Sequence, residues 1–89
     1  MSNMLGMDVA GVRSLANLMN QKAEEINSAM GQITSQLQSV QWVGNDATQF
    51  RSEWDGSHRA ALQQVISALR DASNKAKTNA DEQEATSAR

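Results

Sequence analysis

Val12, Met19, Ile26, Ile33 and Val40 recur every seven residues along the first half of the chain without a miss. Ala16, Ala23, Met30 and Leu37 follow the first four of them at i+4, and Leu15 broadens the stripe. A 3.5-residue apolar period held this long belongs to a helix that packs along its whole length against another helix. It predicts a helix over about 8–40, roughly 50 Å long at about 1.5 Å rise per residue. Asp8 stands where an N-cap carboxylate can accept from the orphan N–H groups of the first turn. Arg13, Asn17, Gln21, Glu24, Asn27, Ser28, Gln32 and Ser35 read as the solvated face of this helix.

No proline interrupts the 89 residues, and the only apparent bend is Trp42-Val43-Gly44, near the midpoint, within a connection over about 41–45. Taken alone, the glycine reads as ending the first helix in a left-handed conformation, with Trp42 capping the end of a bundle. Beyond it, Asp46-Ala47-Thr48-Gln49 has the form of a capping box, with Asp46 capping the Gln49 N–H and Gln49 reaching back. A second helix is expected over about 46–78. Its stripe is Phe50, Trp54, Ala61, Leu62, Val65, Ala68, Leu69, Ala72 and Ala76, large near the bend and small beyond Ala68. That taper implies either close helix approach at the far end or a groove that a partner fills. Gly56 falls inside the pattern, where it costs about 1 kcal/mol against alanine; it marks either a close backbone contact or a tolerated glycine. Residues 79–89 are polar and without a stripe, and read as a flexible tail in which Asp81, Glu82 and Glu84 are solvated.

Two long helices joined by one short connection fold back antiparallel, so 1–89 reads as a single all-α helical-hairpin domain. Val12, Met19, Ile26, Ile33, Leu37 and Val40 of the first helix and Leu62, Val65 and Leu69 of the second are expected to form its seam. Such a hairpin leaves Leu18, Val43 and Ile66 outside the stripes, with Leu5 and Met7 ahead of the first helix. A second hairpin covering them would complete a four-helix bundle, so dimerisation is expected.

The same residues exclude much chemistry. A net charge of −2 with interspersed signs argues against nucleic acid as the partner. The absence of cysteine removes disulfide and thiolate chemistry. His58 is the only histidine and reads as packed or paired, so no metal site is expected. Glu53 and Asp55 flank Trp54 but point in different directions on a helix, so they are no acid–base pair. The methionines read as core and N-terminal filler. No phosphate-binding glycine motif or nucleophile–base set is present; neither catalysis nor a cofactor is expected. The start, Met1 to Asp8, has no basic n-region or apolar h-region, and no run is long enough to span a bilayer. On those grounds alone the protein reads as cytoplasmic.

Trp42-x-Gly44 at the centre of a proline-free and cysteine-free hairpin pattern, followed by Phe50, Trp54 and Asp55, resembles the WxG family of small helical hairpins. That family includes the ESAT-like and culture-filtrate-like proteins exported by type VII secretion systems of actinobacteria and firmicutes. The similarity covers nearly the whole chain. It implies a dimeric four-helix bundle, formed with a second copy or with another WxG-type protein. It further implies synthesis in the cytoplasm, engagement of a type VII secretion ATPase, and export in the folded state without a cleaved signal peptide. The product would act as an effector or as an export partner; membrane interaction is left open. The alternative is an intracellular helical adaptor or coiled-coil subunit with no export role. By the same resemblance Trp42 and Gly44 form the bend motif, with Phe50 and Trp54 supporting it. The chain departs from the family at the C-terminal Tyr-x-x-x-Asp/Glu element that contributes to export, because it has no tyrosine. The nearest register runs from Lys77 to Asp81, with lysine in place of the aromatic, and a second runs from Ala80 to Glu84. The tyrosine would then come from a paired chain, or this tail uses a degenerate version.

Overall fold

A computed structural model describes residues 6–87, the side chain of Ser87 excepted. Helix α1 spans Val9–Ser39, and after a bend helix α2 spans Asn45–Glu53. A single π turn, Trp54–His58, joins α2 to α3, which spans Arg59–Ser87. Among the described residues there is no strand. The result is a hairpin in which α1 packs against the α2–α3 limb. Its extents are 66 × 17 × 14 Å and its radius of gyration 19.6 Å, against about 12 Å for a compact domain of this length. The exposed surface of 6389 Å² is roughly a quarter more than a compact 9.7 kDa monomer presents.

Asp8 caps α1, its carboxylate accepting the Gly11 N–H at 3.0 Å. The start of α2 corrects the capping-box expectation. Gly44 is the N-cap, so Asp46 lies inside the first turn, where its charge meets the positive end of the helix dipole. Gln49 turns away and donates to Glu53 at 3.1 Å.

The buried residues of α1 are Ala16, Ala23 and Met30, seven apart. The facing limb buries Ala47 and Trp54, then Ile66, Ser73 and Ala80. Those sets also step by seven, but from Trp54 to Ile66 the step is twelve. Three α-helical turns take about eleven residues, and the wider π turn absorbs one more. This corrects the stripe read for the second helix. Continued as one unbroken α-helix, it places Val65, Ala68 and Ala72 inward; the added residue turns Ile66 and Ser73 inward instead, while Leu69 stays half-buried as expected. Ile66, expected outside the stripes, belongs to the core cluster with Ala23, Met30 and Trp54, against which Ile26, Leu37, Leu62 and Leu69 pack. No atom lies within 4 Å of where a Gly56 Cβ would stand, so this glycine marks no close contact.

The tail expected over 79–89 is helical as far as Ser87. Ala80 is fully buried. Arg13, expected on the solvated face, reaches across to Asp81 at 2.8 Å and to Glu84 at 3.1 Å. Bidentate pairing of this kind gives the last turns of α3 partners that composition did not reveal. The Glu84 hydrogen bond, followed by that of Asp81, raises the Arg13 pKa above its ordinary range, and the same bond from Arg13 lowers the Glu84 pKa. Glu24, also read as solvated, pairs with Arg70. Leu5, Met1 and Met4 lie outside the described residues.

Candidate interaction site

The first part of the site is the bend. Helix α1 ends at Ser39, and Val40 is already extended, with ψ of 138° and its N–H on the Gln36 carbonyl. Gly44 therefore does not end the first helix in a left-handed turn, as the sequence suggested. Its φ of +122° and ψ of 179° lie in a region that is essentially glycine-only, and its carbonyl accepts the Thr48 N–H to open α2. The motif glycine redirects an extended segment into the second helix.

The Trp42 ring lies against Phe50, with centroids 5.3 Å apart and planes tilted by 54°. Both rings remain partly exposed, and with Ile33, Gln36, Leu37 and Val40 they line an open groove of about 290 Å³. Val43 projects beyond it and is 85% exposed.

Trp54 stands apart from this pair, which corrects its place as a support of the bend. It faces α1 from the end of α2, 9% exposed. Its Nε1 donates to the Thr34 hydroxyl at 2.9 Å, and that hydroxyl donates to the Met30 carbonyl at 2.8 Å. His58, expected to be packed or paired, is exposed and lies with its ring 6.3 Å from that of Trp54.

Arg51 is the residue that sequence reasoning missed. Its guanidinium donates to the carbonyls of Trp42 at 2.8 Å, Leu37 at 3.2 Å and Val40 at 3.3 Å. The first helix ends in carbonyls without helical partners, and a cation there also meets the negative end of the helix dipole. A basic residue early in the second helix of a tight hairpin is the signal that could have found it.

The second part is a flank. With Ala16, Ala23 and Met30 facing the other limb, Val12, Met19, Ile26, Ile33 and Val40 lie about 50° to one side of that line. Arg13, Asn20, Asn27 and Thr34 lie about as far to the other. On α3, Leu62, Leu69 and Ala76 flank the core line, with Val65 farther round, while Gln63, Arg70 and Lys77 flank it oppositely. The antiparallel packing puts like with like: Arg70 meets Glu24, and Gln63 and Arg59 share a groove of about 400 Å³ with Asn27, Thr34 and Gln38, which Met30 also lines. One flank is thus apolar from end to end, and the other is polar and ionic.

Leu37 apart, which follows Met30 by seven on the core line, the expected seam lies beside that line and not on it. Val12, Met19, Ile26, Leu37, Leu62 and Leu69 are half-buried, whereas Ile33, Val40 and Val65 are 41–48% exposed. A strict seven-residue count fixed the period and left the phase open between two adjacent lines. Lys77 is half-buried and Asp81 is exposed and bound to Arg13. That end of the hairpin is roughly 40 Å from the bend, from the length of α1 beyond Arg13, so one chain does not bring Lys77 and Asp81 to Trp42 and Gly44. No group of metal-ligating residues is present among the described residues. No described helix is long and apolar enough to cross a membrane.

An all-α hairpin of two long antiparallel limbs, bent at W-x-G and apolar along one flank, defines a class of small helical hairpin. The family model WXG100, proteins of 100 residues with WXG, matches residues 4–87, and the chain belongs to that family. Its members are small helical proteins of type VII secretion. Neither a curated protein nor a solved structure matches the chain.

Proposed function

We propose that this protein is a type VII secretion substrate that pairs through its apolar flank and acts by protein–protein interaction, as an effector or as an export partner. The observation that carries the reading is the flank itself. Leu15, Ile33, Val40 and Val65 are each 41–48% exposed on a chain that has no spare core to receive them. A face 66 Å long and 14 Å across offers roughly 900 Å², and a standard interface takes about 800 Å² from each partner. A second hairpin, either another copy or a WxG-type sibling, would cover it and complete a four-helix bundle. The bundle would leave the cell through the secretion ATPase without a cleaved signal peptide.

Deletion of the secretion ATPase tests export: the chain should appear in the culture supernatant of the parent and vanish from that of the deletion strain. A strictly intracellular chain in both strains sinks the reading and favours an intracellular adaptor. Ile33→Asp and Val65→Asp test the flank. Both side chains are half-exposed in the hairpin, so each variant should keep its helix content and lose pairing in sedimentation, because covering an unpaired carboxylate is costly. Pairing at parental strength in both would place the interface elsewhere.

A further inference from the structure

We propose that Arg51 is a positioning residue that holds the Trp42-Val43-Gly44 bend in the shape that completes the apolar groove, so that pairing at this end depends on it. The inference rests on the pairing read from the flank and names the residue that governs one end of it.

From Val40, which is extended, to Gly44 the backbone belongs to neither helix. The backbone bonds that flank it are Val40 N–H to the Gln36 carbonyl and Thr48 N–H to the Gly44 carbonyl. They fix its two ends and not its middle. Arg51 supplies what lies between. One Nη reaches Trp42, and the other reaches Leu37 and Val40, so a single planar group spans the last turn of α1, its cap and the bend. A guanidinium presents its donors in a rigid fork; an ammonium is a point charge on a flexible stem and cannot reproduce that span. The adjacent Phe50 carries the Trp42 ring. Two consecutive residues of α2 therefore hold one tryptophan by its carbonyl and by its indole.

The consequence reaches the surface. Val40 and Trp42 are at once walls of the groove and carbonyls held by Arg51. Without the guanidinium the groove would have to be ordered at the moment of pairing, and the entropy of that ordering weakens association.

The test uses the full chain with Trp54→Phe, which leaves Trp42 as the sole indole, and adds Arg51→Ala or Arg51→Lys. Circular dichroism reports the helices, Trp42 emission the bend, and sedimentation the pairing. Arg51→Ala should retain parental helix content, shift Trp42 emission to the red, and weaken pairing by about tenfold, the cost of ordering one or two side chains at the moment of pairing. Arg51→Lys should fall between it and the parent. Parental emission and pairing in Arg51→Ala would overturn the proposal. If Arg51→Ala loses its helices, Arg51→Lys decides, and parental emission and pairing in the lysine variant would overturn it too. If the parent itself does not pair, the flank reading fails separately, and Trp42 emission alone then decides whether Arg51 holds the bend.

Discussion

The Ser73 hydroxyl donates to the backbone carbonyl of Ala16 at 2.7 Å, and neither residue exposes any surface. A short side chain reaches the main chain of the facing helix only where the two helices are in close approach. Close approach at the far end, one of the two readings of the taper, is therefore present, but Ser73 makes it through a polar contact, while Ala68 and Ala72 of the expected stripe are exposed. Ser73→Ala should cost about 1 kcal/mol in chemical denaturation, through loss of the bond alone. Ser73→Leu should cost about 1–3 kcal/mol through overpacking. A leucine variant as stable as the parent would refute the close approach.

Gly44→Ala isolates the backbone requirement of the bend, because no atom lies within 4 Å of the added methyl. Only the φ of +122° opposes it. The cost should be about 1–3 kcal/mol, read as a lowered melting temperature. A variant that melts with the parent would mean that the bend tolerates another path between the helices.

The π turn makes a prediction by subtraction. Deleting Gly56 should convert Trp54–His58 to regular helix and shorten the step from Trp54 to Ile66 from twelve residues to eleven, so that Ile66 and the rest of α3 stay inside. The deletion should therefore melt at or above the parent. Gly56→Ala keeps the count and fills open space, and should stabilise by about 0.5–1 kcal/mol. A large fall in melting temperature for the deletion would show that the π turn does more than absorb one extra residue.

The Arg13 clamp gives α3 a pH-dependent end. Glu84 titrates below its ordinary 4.5 in the folded chain because Arg13 holds its charged form. A depressed folded value means that the contribution is complete above 4.5 and is lost as pH falls through the folded value. Amides of residues 81–87 should therefore lose protection from hydrogen exchange as the medium is acidified below 4.5, while those around Ile66 hold. Arg13→Met should show weakened protection there already at neutral pH. An unchanged pattern in that variant would mean that the ion pairs do not hold the helix end.

How far the sequence reached depended on what each residue's partner was. The period of α1, the Asp8 cap and the place of the bend follow from neighbours within a few positions, and all were legible. Ile66 was not, because one extra residue in a π turn shifts the phase of everything after it without breaking the apolar pattern. The helical end of α3 was hidden for another reason: Asp81 and Glu84 look solvated until Arg13, 68 and 71 positions earlier, lies beside them. Arg51 was hidden likewise, since its acceptors are backbone carbonyls, which leave no mark on composition. Trp42 and Trp54 show the limit of motif reading. Twelve residues apart and both aromatic, they differ in kind, one walling an open groove and the other donating to Thr34 inside the core.

A body 66 Å long but only 17 × 14 Å across has nearly one gauge throughout. Any aperture wide enough to admit the bend end-on admits the rest of the hairpin. A second hairpin laid on the apolar flank widens that profile in one direction and leaves its length almost unchanged. A channel that passed such a pair would need about twice the cross-section of one hairpin and no greater length.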